Sequence, residues 1–176
     1  MQEVEAKIAL EPGEIDAVRW RLEAAGATRK GIDAEENLLF DSNDGRLRKS
    51  GQGLRLRSFG SRDEVVLTYK GKVERESPYK SREEIEVVLG DMPGMRLILE
   101  RLGFRATTRY AKQRERWQLG ETEIALDRLA FGDFIEVEGA EPAIDATLDR
   151  LGLNGRPHIR PGYAELARRA GIPTEP

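Results

Sequence analysis

Glu3-Val4-Glu5-Ala6-Lys7-Ile8-Ala9-Leu10, "EVEAKIAL", sets Glu3, Glu5 and Lys7 in alternation with Val4, Ala6 and Ile8. Side chains on a β-strand point to opposite faces in turn, so the stretch predicts a strand with one charged face and one apolar face. Alone, such a strand fits any antiparallel sheet that is wetted on one side. Its meaning depends on whether other strands repeat the pattern and on what their charged faces meet.

Composition narrows the choices. The 176 residues predict a single domain over 1–176, long enough to bury a substantial core. There is no cysteine, no apolar run of membrane-spanning length and no basic-then-apolar leader, so the sequence predicts a soluble cytoplasmic protein with no membrane partner. His158 is the only imidazole, so a bound metal would take oxygen ligands, which suits Mg²⁺ or Mn²⁺ better than zinc. The net charge of -3, from 29 basic and 32 acidic residues, argues against a nonspecific nucleic-acid binder. Aromatic residues are only 6% of the chain, which argues against an RNA-binding face of stacked aromatics.

The alternation recurs along the chain. After Pro12-Gly13, "EIDAVRWRLEAAGA" places Ile15, Val18, Leu22 and Ala25 on one helical stripe that stops at Gly26. Strands are predicted in "ENLLFDS", in "GQGLRLRSF", where Arg55 and Arg57 alternate with Leu54 and Leu56, and in "DEVVLTYKGK", where Lys70 and Lys72 continue one face. "SREEIEVVL" then sets Arg82, Glu84 and Glu86 against Glu83, Ile85 and Val87. A helix in "MPGMRLILERLGF" precedes strands in "RYAKQRERWQL", "TEIALDRL" and "DFIEVEG", and helices close the chain in "AIDATLDRLGL" and "YAELARRAGI". Gly51-Gln52-Gly53 precedes a strand and lacks a P-loop lysine, so it reads as a turn.

A faint repeat relates "EVEAKIAL", helix and "LEAAGAT" to "EEIEVVL", helix and "LERLGFRAT", which points to two similar halves. Such halves can close a sheet on itself, and closure would turn the charged faces toward one another. The apolar faces would then lie outside, where the helices need something to cover.

The ordered set "EVEAK", "LRLR", "LTYKGK", "SREEIEV", "KQR", "ALD" and "FIEVE" resembles the CYTH family, the triphosphate tunnel metalloenzymes, over about Glu3 to Glu138. The closing "GYAELARRAGI" is similar to the C-terminal helix of the class IV adenylate cyclase branch. The resemblance implies an α+β fold: a closed or nearly closed eight-stranded antiparallel barrel with helices packed on its outside. It also implies a lumen in which basic residues hold a triphosphate and acidic residues hold a divalent metal. The implied function is conversion of ATP to cyclic AMP and pyrophosphate. Hydrolysis of tripolyphosphate or thiamine triphosphate is the alternative, and a noncatalytic polyphosphate-binding module a further one. A homodimer is admitted.

A triphosphate carries about four negative charges, which several Lys and Arg side chains must meet, Arg with forked hydrogen bonds. Lys7, Arg55, Arg57, Lys70, Lys72, Arg82, Lys112 and Arg114 lie on the predicted charged faces and are the expected triphosphate ligands, with Lys7, Arg57 and Arg114 expected to act in the reaction. Carboxylates among these cations suit a hard metal that bridges phosphate oxygens. Glu3, Glu5, Asp127, Glu136 and Glu138 are the expected metal ligands, with Glu84 a sixth. Arg116 continues the face of Lys112 and Arg114 but is left out, and Tyr163 is expected near a tunnel end.

Overall fold

The computed structural model describes residues 2–74 and 77–171. Eight strands, β1 (Gln2–Leu10), β2 (Thr28–Ser42), β3 (Gly53–Phe59), β4 (Val65–Lys70), β5 (Lys80–Leu89), β6 (Phe104–Leu119), β7 (Thr122–Leu129) and β8 (Gly132–Glu138), form a closed antiparallel barrel in the order β1-β5-β4-β3-β2-β6-β7-β8. Shifting every strand number by four maps this cyclic order onto itself. The faint repeat is therefore structural, because β1 and β5 each lead through an external helix into a long strand, β2 or β6.

The helices are α1 (Glu14–Ala24), α2 (Arg46–Lys49), α3 (Met92–Arg101), α4 (Glu141–Arg150) and α5 (Tyr163–Arg169). The start of α3 follows local chemistry. Asp91 caps α3 by accepting from the Gly94 N–H at 3.0 Å, with Pro93 in the first turn. A Cβ on Gly94 would stand 2.3 Å from the Asp91 Oδ2, so this cap requires glycine there.

The apolar faces lie outside the barrel. Ile8, Ile124, Leu126, Ile135 and Val137 on the strands pack with Ile15, Val18 and Leu22 of α1 and Ile144 and Leu148 of α4. Trp117 belongs to the same cluster, as its position opposite the charged face predicts. A second cluster joins Leu38, Phe40, Leu56 and Val65 to Leu99 of α3. Each fully buried Ile or Leu contributes about 1.5–3 kcal/mol of transfer free energy, so these two outer clusters hold the sheet closed while the lumen stays charged. No described helix is long and apolar enough to cross a membrane.

Candidate active site

Directly paired residues on neighbouring strands share a face, and the register carries the charged face of β1 around the barrel. Glu3 pairs with Arg82 and Glu5 with Lys80 on one side, while Glu5 pairs with Glu138 and Lys7 with Glu136 on the other. Arg114 lies opposite Asp127, Lys112 opposite Glu35, Arg57 opposite Asn37, Arg55 opposite Thr68 and Lys70 opposite Glu84. Every expected site residue except Lys72 therefore faces one lumen. Lys72 follows the end of β4, is exposed, and forms no ion pair among the described residues. The alternation that selects it ends with the strand at Lys70.

One part of the lumen is a mesh of cations and their counter-ions. Arg114 grips Asp127 with a fork, Nε to Oδ1 at 2.7 Å and Nη2 to Oδ2 at 2.6 Å, and also donates to Glu136. Lys112 donates to Asp127 at 3.1 Å, and Lys7 lies 3.0 Å from Glu136. Asp127 and Glu136, expected among the metal ligands, serve here as partners of these cations. Burial alone would raise their carboxyls, but Arg114 and Lys112 hold Asp127 below the ordinary range, and Lys7 and Arg114 hold Glu136 well below it. Burial and the neighbouring Arg114 bring Lys112 down to about 8, against the pull of Asp127, Glu136 and Glu35. Burial and Arg55 bring Arg57 down to about 10.

Helix α5 seals this part. The Tyr163 hydroxyl donates to Asp127 Oδ2 at 2.7 Å, and the Tyr163 ring lies 4.3 Å from Lys7 Nζ and 5.0 Å from Lys112 Nζ. Phe134 and Tyr110 pack against that ring with centroids 5.3 and 6.2 Å away. The segment leading into α5 is tied to β1, since the Ile159 N–H donates to the Lys7 carbonyl at 2.8 Å.

The other part is richer in carboxylates. Glu3 accepts from Lys70 and Arg82 at 3.1 Å each, Glu84 pairs with Lys70, and Glu5 pairs with Lys80. Glu138 has no Lys or Arg partner among the described residues. The residue is exposed, yet the surrounding protein displaces part of the hydration of its carboxyl. That desolvation, followed by the like charges of Glu3, Glu5, Glu123 and Glu84, pushes it up to about 7. An all-oxygen donor set whose mutual repulsion adds to desolvation in raising a carboxyl fits a hard divalent cation in its chemistry. Among the described residues no three carboxylates already converge as a metal cage, because Glu3 and Glu5 are held by Lys70, Arg82 and Lys80.

Sequence reasoning missed Lys80 and Glu35. Lys80 lies two residues before Arg82 on a strand that starts at Lys80. Glu35 lies two residues before Asn37 on a β2 that begins at Thr28, well before the "ENLLFDS" segment. Period two, extended backwards in both strands, would have found them. Arg116 lies on the inner face but pairs with Asp33 at 2.9 Å and keeps about a third of its side chain exposed.

Comparison with known proteins agrees with this architecture. A Methanocaldococcus jannaschii protein named "putative adenylate cyclase" is 31% identical over 144 residues, which span 75% of this chain and 80% of that one. A solved Pyrococcus horikoshii protein superimposes with a TM-score of 0.81 at 27% identity, covering 96% of this chain and 99% of that one. A Hippeastrum protein, described as an adenylyl cyclase candidate with a dominant triphosphatase activity, superimposes with a TM-score of 0.71 at 19% identity over 97% of both chains. The CYTH domain profile matches residues 1–151, and the chain belongs to the CYTH family.

Proposed function

We propose that this protein is a divalent-metal-dependent enzyme that binds a triphosphate in the barrel lumen and converts ATP to cyclic AMP and pyrophosphate. The observation that carries the reading is the convergence of Lys7, Arg55, Arg57, Lys70, Lys80, Arg82, Lys112 and Arg114 on one enclosed face. A linear triphosphate is a ligand whose charge and length match such a wall. The name of the Methanocaldococcus relative supports the cyclase.

In this reading the 3′-hydroxyl of the ribose attacks the α-phosphorus and gives up its proton to water, the bond from that phosphorus to the bridging oxygen breaks, and pyrophosphate leaves. Arg57 and Arg114 hold phosphate oxygens and stabilise the charge that builds on them, and Lys7 fixes the chain from the β1 side. Tyr163 and its aromatic neighbours exclude water from one side of the site. Glu3, Glu5 and Glu138, with Glu84 beside them, would hold Mg²⁺ or Mn²⁺, which neutralises phosphate charge and polarises phosphoryl oxygens when bound.

The activity described for the Hippeastrum protein favours a second reading, hydrolysis of the terminal phosphate by water on the same wall. Product analysis decides between them. Purified protein with Mg²⁺ or Mn²⁺ receives ATP, thiamine triphosphate and tripolyphosphate, and the products are separated. Cyclic AMP with equimolar pyrophosphate is the expected result. Orthophosphate without cyclic AMP would assign the protein to the triphosphatases.

A further inference from the structure

Glu35 has no role in the account above. It is 1% exposed, on the inner face of β2, with Oε2 3.3 Å from Arg57 Nε and 3.5 Å from Lys112 Nζ. Neither of its oxygens accepts a hydrogen bond among the described residues. The nearby donors are directed elsewhere: Arg57 Nε–H to Asn37 Oδ1 at 3.1 Å and Lys112 to Asp127 at 3.1 Å. A buried carboxylate without hydrogen bonds is rare in native proteins and calls for a reason. Glu35 places negative charge beside two phosphate-binding cations without consuming their N–H groups.

We infer that Glu35 is a specificity-determining residue of the triphosphate site, a fixed internal anion that lowers the affinity of Arg57 and Lys112 for phosphate. The inference rests on the lumen binding a triphosphate, as proposed above. Burial opposes ionisation of Glu35, but Lys112, Arg57 and Arg114 outweigh it and keep the group charged, so it repels a phosphoryl group and is a poor proton acceptor. In this part of the lumen Lys7, Arg57, Lys112 and Arg114 face Glu35, Asp127 and Glu136. Glu5, 3.7 Å from Lys7, is a fourth carboxylate, so these four cations are offset one for one. A ligand that spans the whole wall overcomes the penalty through contacts with Lys70, Lys80 and Arg82, whereas a short anion that reaches only Arg57 and Lys112 cannot. Glu35 thereby favours long phosphate chains for binding and short ones for release.

Calorimetric titration of tripolyphosphate and orthophosphate into the full chain tests this. In Glu35→Gln, which keeps the shape and removes the charge, Kd for orthophosphate is expected to fall by about tenfold and Kd for tripolyphosphate, which draws most of its contacts from the rest of the wall, by less than about threefold, so that orthophosphate becomes a stronger competitor of tripolyphosphate. Glu35→Asp retains the charge and is expected within about twofold of wild type. Glu83→Gln, an equal change of net charge at an exposed position on the outer face, should leave Kd unchanged. If Glu35→Gln does not fold, Glu35→Ser removes the same charge with less bulk and must show the same tightening. Wild-type binding with unchanged or weaker binding in the charge-removing variant, or with equal tightening of both ligands, overturns the role of Glu35 alone. Absence of tripolyphosphate binding in the wild type overturns the triphosphate reading itself, and this inference with it.

Discussion

Glu136 and Glu138 stand two residues apart on β8 and face the same lumen, yet Glu136 is held well below the ordinary carboxylate range while Glu138 is pushed up to about 7. Burial raises both, so the difference comes from their neighbours across the strands. Glu136 is flanked by Lys7 on β1 and Ala125 on β7, and Arg114 reaches it from β6. Glu138 is flanked by Glu5 on β1 and Glu123 on β7. Like charges directly opposite in a ladder destabilise it. The sheet thus completes one ionic mesh within itself and leaves the other awaiting positive charge from outside. The first mesh holds the wall in shape, and the second is where an external cation has most to neutralise.

The contrast is open to tests of decreasing size, all readable as melting temperatures. Arg114→Ala removes the partner of Asp127 and Glu136 and leaves buried carboxylates uncompensated, an effect of about 3–5 kcal/mol. At roughly 2–4 °C per kcal/mol for a chain of this size, the melting temperature is expected to fall by at least about 6 °C, and added metal should not restore it. A loss below about 2 °C would mean that the mesh contributes little to stability.

Tripolyphosphate supplies the opposite perturbation. At a hundredfold excess over its dissociation constant, linkage to the native state gives about 2.7 kcal/mol, or about 5–10 °C of added thermal stability. Orthophosphate at the same concentration should give much less, and sodium chloride should not reproduce the effect. Equal shifts from orthophosphate and tripolyphosphate would contradict a wall shaped for three linked phosphates.

Glu138 gives a smaller, pH-dependent effect. Its folded-state value of about 7 lies above the value of about 4.3 in an unfolded chain, so the native state binds the proton more tightly. This contribution is complete below about pH 4.3 and is lost as pH rises through about 7. The depressed carboxyls of Asp127, Glu136 and Glu35 act oppositely: their contribution is complete above the unfolded value and disappears as pH falls through the depressed one. Glu138 therefore titrates between pH 5 and 8, and the metal-free protein should lose thermal stability over that interval. Solvent screening at this exposed position limits the loss to about 2–4 °C. Glu138→Gln should flatten the profile while lowering turnover, with partial recovery at high metal. An unchanged profile would show that the crowding is relieved some other way. Lys72→Ala, beyond the end of β4, should shift the melting temperature and the tripolyphosphate response by less than about 1 °C.

Much of this arrangement was legible in the sequence because period two is a local signal. Alternation in "EVEAK", "LRLR" and "FIEVE" put Glu5, Arg57 and Glu138 each on a charged face, and the strand pairing from β8 through β1, β5 and β4 to β3 joins those faces. Closure depended on the inside-out placement of apolar residues, and Ile8, Ile135 and Val137 do lie outside beneath α1 and α4. What the sequence hid was strand length and partner choice. β2 runs for 15 residues, and its first half, "TRKGIDA", has neither the β-branched density nor the clean alternation that marks a strand; β6 supplies the pairing that extends it. Glu35 was lost for that reason. Lys72 was retained because alternation cannot tell where a ladder stops. The fork of Arg114 on Asp127 was equally invisible, since it depends on the β6–β7 register.

The most direct test of the central claim, that the cationic lumen is one site for a linear triphosphate, is calorimetric titration of tripolyphosphate into the wild type and Arg57→Ala. The account predicts one tripolyphosphate per chain in the wild type, with Kd raised at least about tenfold by loss of Arg57, equivalent to about 1.4 kcal/mol. Binding that is indifferent to Arg57, or that saturates at several weak equivalents per chain, would contradict it.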